Sequence, residues 1–109
     1  MTVNLNFKLK KYDEVWTKDG HRLGEAHCIY HRTKDINPLL QLYPAYVHVV
    51  SLELGDDFWI PTDYLGGRDE ETGHVTLTVP MEVVQERTWT RMPEFIIEKE
   101  AIKEDLPAT

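Results

Sequence analysis

The chain has 109 residues, a formal net charge of −7 and a single cysteine. This length fits one domain, and a composition of 41% hydrophobic and 28% charged residues is typical of a globular protein rather than a disordered one. One cysteine excludes an intramolecular disulfide framework and any zinc site with several cysteine ligands. Cys28 stands in an apolar run, so we expect it to be a small buried apolar residue and not a nucleophile.

The charge is distributed unevenly along the chain. Residues 1–52 carry a net charge of +2, from seven basic and five acidic residues, whereas residues 53–109 carry −9, from five basic and fourteen acidic residues. An acidic surface repels phosphate groups, so a nucleic-acid partner is not expected. The N-terminal residues have no apolar run typical of a signal peptide, and no segment has about 20 apolar residues. We therefore expect a cytoplasmic protein without a membrane partner.

The first half of the chain has the alternation typical of β-strands. Residues 3–9 alternate apolar and polar side chains, which predicts a first strand. Residues 14–17 and 22–31 flank an Asp19-Gly20 turn, which is a strong signal for a hairpin. The apolar positions of the returning strand change from odd to even after Gly24, so we expect a β-bulge at this glycine.

Residues 32–44 interrupt this pattern. Asn37-Pro38 can begin a short helical turn that Pro44 would end. Leu39, Leu40 and Leu42 stand beside two tyrosines, which gives this loop an unusual amount of apolar surface. Two interpretations stay open: the loop covers the core, or it forms a surface for a partner or for self-association.

The second half predicts further strands joined by turns. Residues 46–54 form the clearest strand, which we expect to be central, and residues 58–60 form a short strand ended by Pro61. A tight turn at 62–65 and a glycine-containing, charged loop at 66–73 should follow. Residues 74–79 alternate cleanly as a strand, and Pro80 can begin a helix over 81–86.

The C-terminal extension, residues 89–109, is predicted to be an amphipathic helix that follows a β domain of residues 1–88. Its apolar residues recur at roughly helical intervals, and Pro93 fits the first turn. An extended strap along the domain is the alternative.

Three segments resemble PRC-barrel domains. The first hairpin of that family has a hydrophobic strand, an Asp-Gly turn and a hydrophobic residue followed by glycine, as in VWTKDGHRLGEA at residues 15–26. The family's Ile-Pro element with a short turn is similar to FWIPTDYL at 58–65, and its closing strand and short helix to HVTLTVPME at 74–82. Order and spacing agree over roughly residues 5–87, and the chain departs from the pattern at 36–44 and after Trp89.

The resemblance implies a fold and a class of function. The implied fold is a mainly β, small PRC-barrel-like barrel or roll with short helical turns, to which the periodicity of the tail adds a C-terminal helix. The implied function is a noncatalytic binding or assembly module without a cofactor, because the family has no defined catalytic residues. PRC-barrel domains occur in the H subunit of photosynthetic reaction centres and in a ribosome-maturation factor, whose accompanying membrane helix and second barrel have no counterpart in this sequence.

The five histidines are the main candidates for other chemistry. His27 and His31 lie four residues apart, which on a strand separates their side chains by about 13 Å, too far for one metal ion. A metal site would need histidines from different strands, and His48 stands among apolar residues typical of a core. A small metal- or ligand-binding protein that uses histidines at the barrel rim is therefore the alternative function.

Aromatic residues favour a binding surface. Tryptophan and tyrosine combine a large apolar area with a polar group, which suits protein interfaces. We predict a protein-binding or homo-oligomeric module whose partner-binding residues are Leu39, Leu40, Leu42, Tyr43, Tyr46, Trp59, Trp89 and Phe95.

Overall fold

The computed structural model describes residues 7–33, 43–53 and 55–108. The strands in these residues are β1 (Glu14–Trp16), β2 (Arg22–Arg32), β3 (Ala45–Ser51), β4 (Asp56–Pro61), β5 (Leu65–Arg68), β6 (Val75–Leu77) and β7 (Ala101–Asp105). The helices are α1 (Met81–Glu86) and α2 (Glu94–Ile97), and a 3₁₀ turn spans Thr62–Tyr64. The predicted mainly β class is confirmed, as are the short turn after β4 and the helix that follows Pro80.

The strands of the described residues form one mixed sheet in the order β4-β3-β2-β1-β6-β5. The eleven-residue strand β2 organises this sheet: it pairs with β3 along one edge, and with β1 and then β7 along the other. β1 and β6 are parallel, and the other pairs are antiparallel. β4 and β5 do not pair with each other, so the described strands form an open sheet and not a closed barrel.

The predicted hairpin and bulge are both confirmed. β1 and β2 are antiparallel, and Gly20 supplies the positive φ of 86° that the turn requires. Val15 lies opposite Gly24 but Trp16 lies opposite Arg22, so the register shifts by one residue here. A second shift, which the sequence did not predict, lies between Ala26 and Cys28. The two shifts bend β2 and let it change neighbours along one edge.

β3 contributes one face to the core. β3 buries Ala45, Val47, Val49 and Ser51 in strict alternation, and it pairs with both β2 and β4, which confirms its predicted central position. The strand ends at Ser51, so the prediction that it continues to residue 54 was too long. Cys28 is also buried, as expected.

Two predicted segments differ in the structure or lie partly outside its described residues. Gly66 and Gly67 were expected in a loop, but they belong to β5, which pairs with β6. Main-chain hydrogen bonds make this strand, and they need no pattern of apolar side chains. The strand predicted over 3–9 lies largely outside the described residues; its described end, residues 7–9, is not a strand, although Leu9 is buried.

The prediction of a continuous C-terminal helix was wrong. Only the four residues of α2 are helical, Lys99 then takes a positive φ of 62°, and β7 follows as an edge strand. β7 pairs with β2 from Cys28–Asp105 to Arg32–Ala101, where β1 no longer covers the β2 edge. The open main-chain groups of that edge explain why this segment is extended. None of the helices in the described ranges is long and apolar enough to cross a membrane.

Candidate functional site

A groove of about 340 Å³ lies between the β3–β4 hairpin and the segment that follows α1. Tyr46, at the start of β3, pairs with Pro61 at the end of β4, so the groove lies at the end of the hairpin away from its turn. Its lining consists of Tyr43, Tyr46, Trp59, Arg87, Thr88, Trp89, Arg91, Met92 and Pro93.

A main-chain contact positions the two tryptophans of the groove. The backbone N–H of Trp59 donates to the carbonyl of Trp89 at 2.7 Å, which fixes the segment after α1 against β4. Both indoles are almost fully buried, at 6% and 5% exposure, so they form the floor of the groove and not a projecting surface. The indole N–H of Trp59 has no hydrogen-bond partner in the described part of the chain.

Tyrosines form a second wall. The ring of Tyr43 contacts those of Tyr46 and Tyr64 edge to face, with centroids 6.0 and 5.6 Å apart. The hydroxyls of Tyr43 and Tyr64 share a hydrogen bond of 2.8 Å, and Tyr64 packs on Trp89. The hydrogen bond to Tyr64, together with burial, raises the pKa of Tyr43 to about 12. This hydroxyl therefore stays neutral near pH 7 and offers a hydrogen bond, not a base.

The rim of the groove is basic. Arg87 and Arg91 are exposed, and neither forms an ion pair with any described residue. Among the residues that the structure describes, no acidic side chain lines the groove. Both arginines belong to the half of the sequence whose net charge is −9, so this is a local positive site on an acidic chain. Such a site favours a partner that carries carboxylate groups.

The structure brings most of the predicted partner-binding residues together. Tyr43, Tyr46, Trp59 and Trp89 line the groove, although they come from separate parts of the chain. Phe95 is buried beside it, with its ring centroid 5.7 Å from that of Tyr46 and the guanidinium of Arg32 above it. The other three predicted residues, Leu39, Leu40 and Leu42, lie outside the described residues.

The sequence interpretation missed the other half of the lining. Arg87, Thr88, Arg91, Met92 and Pro93 lie between α1 and α2; the first two were assigned to the β domain and the other three to the C-terminal extension. A signal was present: two arginines four residues apart stand in an otherwise strongly acidic half of the chain.

The five histidines do not form one cluster, although the ring centroids of His27 and His48 lie 6.4 Å apart. Each of four pairs with a different carboxylate: His21 with Asp19 at 3.7 Å, His31 with Glu104 at 2.7 Å, His48 with Asp57 at 3.5 Å and His74 with Glu14 at 3.0 Å. Within the ranges that the structure describes, no three His, Cys, Asp or Glu side chains lie close enough to hold a metal ion.

His48 is the histidine with the most perturbed surroundings. Its ring stacks on Trp59, with centroids 5.0 Å apart and an interplanar angle of 6°. Burial lowers the pKa of His48, and the nearby carboxylate of Asp57 only partly opposes this effect. Burial likewise raises the pKa of the Cys28 thiol, so this cysteine is a poor nucleophile.

The fold and the groove define the class of protein. It is a small, mainly β domain built on an open mixed sheet, with an aromatic groove that has a basic rim. No family model matches the chain, and neither a curated protein nor a solved structure matches it.

Proposed function

We propose that the chain is a noncatalytic protein-binding or assembly module of PRC-barrel type, which binds its partner in the aromatic groove. One observation carries the proposal: the fold gathers Tyr43, Tyr46, Trp59 and Trp89 around one cavity, beside two arginines without ion-pair partners among the described residues. Tyrosine, tryptophan and arginine are the residues that most often dominate the binding energy of protein interfaces.

The chemistry of the lining supports binding over catalysis. Its described residues include no His, Cys, Asp or Glu, and the raised pKa of Tyr43 keeps that hydroxyl protonated near neutral pH. Hydrogen-bond donors and aromatic faces remain, which suit recognition of an apolar side chain with acidic neighbours.

The order of elements supports the PRC-barrel type. The Asp-Gly turn joins β1 and β2, the Ile-Pro segment ends β4 before the 3₁₀ turn, and Pro80 separates β6 from α1. β6 pairs with β1, so the hairpin and the closing strand of the resemblance are neighbours in the sheet. The described strands form an open sheet, so the proposal concerns the order of elements of the PRC-barrel type and not a closed barrel.

Site-specific photo-crosslinking tests this function. A photoreactive phenylalanine analogue would replace Met92, which lines the groove and is 41% exposed. The control places the same analogue at Lys18, an exposed residue of the β1–β2 turn. After irradiation in the expressing cells, we expect a discrete crosslinked protein from position 92, either another protein or a second copy of the chain, and none from position 18.

Two results would argue against the proposal. Equal crosslinking from both positions would show that the groove has no preference for a protein. A product from position 92 that persists after Arg87→Glu/Arg91→Glu would show that the basic rim takes no part.

A further inference from the structure

We infer that the groove binds the β3–β4 turn of a second copy, so that copies of this chain associate head to tail. The inference rests on the proposed function, because it names the partner of the same groove. Its evidence is separate: the chemistry and position of the turn itself.

The β3–β4 turn exposes an apolar side chain among acidic ones. Leu52 is 70% exposed, the highest value among the large hydrophobic residues of the described ranges. Glu53, Asp56 and Asp57 are exposed beside it. The described residues of this turn therefore offer what a ligand of the groove would need: an exposed apolar side chain beside carboxylates.

The groove matches that turn in size and in charge. Its volume of about 340 Å³ is at the low end of the roughly 300–1,000 Å³ typical of binding pockets, which suits one or two side chains. Its aromatic floor would contact the leucine, and Arg87 and Arg91 at the rim would lie near the carboxylates of the turn.

A copy cannot place its own turn in its own groove. Tyr46 lies at one end of β3 and Leu52 just past the other, six residues away. At about 3.3 Å per residue, the strand separates them by about 20 Å. Continuous pairing with β4 keeps β3 extended between the two sites, so the turn must bind a different copy. Contacts between two different surfaces produce chains or closed rings rather than a twofold dimer.

Light scattering on the purified full chain, over a series of protein concentrations, provides the first test. We expect the mean mass to increase with concentration. Two variants should each raise the apparent dissociation constant at least tenfold: the groove variant Arg87→Glu/Arg91→Glu and the turn variant Glu53→Lys/Asp56→Lys. All four residues are exposed, so thermal unfolding should show that both variants remain folded. Lys18→Glu/Lys99→Glu, also on exposed residues, changes the net charge as the groove variant does and should associate like the original chain.

Two further experiments distinguish a head-to-tail contact from a general charge effect: the substitutions are combined in one chain, and two different variants are mixed. One chain that carries both double substitutions has the two charges exchanged, and its association should return to within a few-fold of the original. The turn variant Leu52→Gln mixed with the groove variant should give a dimer and nothing larger, because each copy supplies one intact surface.

The inference would be overturned by an association that the turn variants leave unchanged, or by a combined chain as weak as its parents. It would also be overturned if the purified chain stayed monomeric at every concentration. In that case, crosslinking from position 92 to another protein would still support the proposed function. Equal crosslinking from positions 92 and 18 would contradict both the proposed function and the head-to-tail association.

Discussion

Gly24 lies in β2 where the backbone of β3 leaves no room for a side chain. A Cβ atom at this position would lie 2.3 Å from the carbonyl oxygen of Val50, a distance that backbone atoms cannot accept without moving. Its φ of 151° also lies in the region that side-chain-bearing residues rarely adopt. The face shift in the sequence identified this glycine, but not the Val50 carbonyl that excludes a side chain.

Gly24→Ala should therefore lower the free energy of unfolding by about 3 kcal/mol, since overpacking and an unfavourable backbone conformation both contribute. Denaturant unfolding measures this change. The matched control is Gly67→Ala, where a Cβ would meet nothing within 4 Å, and it should cost clearly less. Equal losses at the two positions would show that the close approach to Val50 is unimportant.

His48 should make the stability of the protein depend on pH. Its pKa is lowered in the folded state by burial against Trp59, while Asp57 raises it and His27 and Lys103 lower it further. As the pH falls below the unfolded pKa of about 6.5, the unfolded state binds the proton first. Stability attributable to this group is therefore complete above that pH and decreases as the pH falls towards the folded pKa.

His48→Phe keeps a ring on Trp59 but removes the titrating group. Thermal unfolding of this variant should change less between pH 7 and pH 5 than that of the original chain. The control is His21→Gln on the exposed β1–β2 turn, which should retain the original dependence. A His48→Phe profile parallel to the original would exclude His48 as the cause.

At the scale of elements, β7 shows why a helical spacing can mislead. Ile102 and Leu106 are four residues apart, which on a helix would bury both on one side. In the structure Ile102 is 54% exposed on the edge strand, whereas Leu106, just beyond β7, is buried in the core. The main-chain pairing with β2 decides the conformation, and the apolar spacing does not.

These two residues give a direct test of that difference. Leu106→Ala should lower the free energy of unfolding by about 2–3 kcal/mol, whereas Ile102→Ala should stay within about 0.5 kcal/mol of the original chain. Denaturant unfolding of both variants provides the comparison. Similar losses from both would favour the helical stripe and contradict β7.

For the whole molecule, the arrangement of charge matters more than the net charge of −7. The acidic turn after β3 and the basic rim after α1 lie at opposite ends of the same hairpin. Because of this separation, the acidic turn and the basic rim of one copy do not neutralise each other, and the charge of the molecule is polarised from one end of the hairpin to the other. A uniformly acidic chain of the same composition would only repel its copies.

The local elements could be predicted from the order of the residues. The Asp19-Gly20 turn, the shift at Gly24, the alternation of β3 and the start of α1 at Pro80 are all decided by residues close together in the chain. Period-two burial and backbone preferences act over a few residues, so they can be inferred from the order of the side chains.

β5, β7 and the composition of the groove depend on contacts between residues that are far apart in the chain. β5 and β7 are made by main-chain hydrogen bonds to distant strands, and these bonds leave no required pattern of side chains. The aromatic character of each side chain was enough to predict four partner-binding residues individually: Tyr43, Tyr46, Trp59 and Trp89. Their meeting beside two arginines depends on the contact between β4 and the segment after α1, which joins residues 30 positions apart.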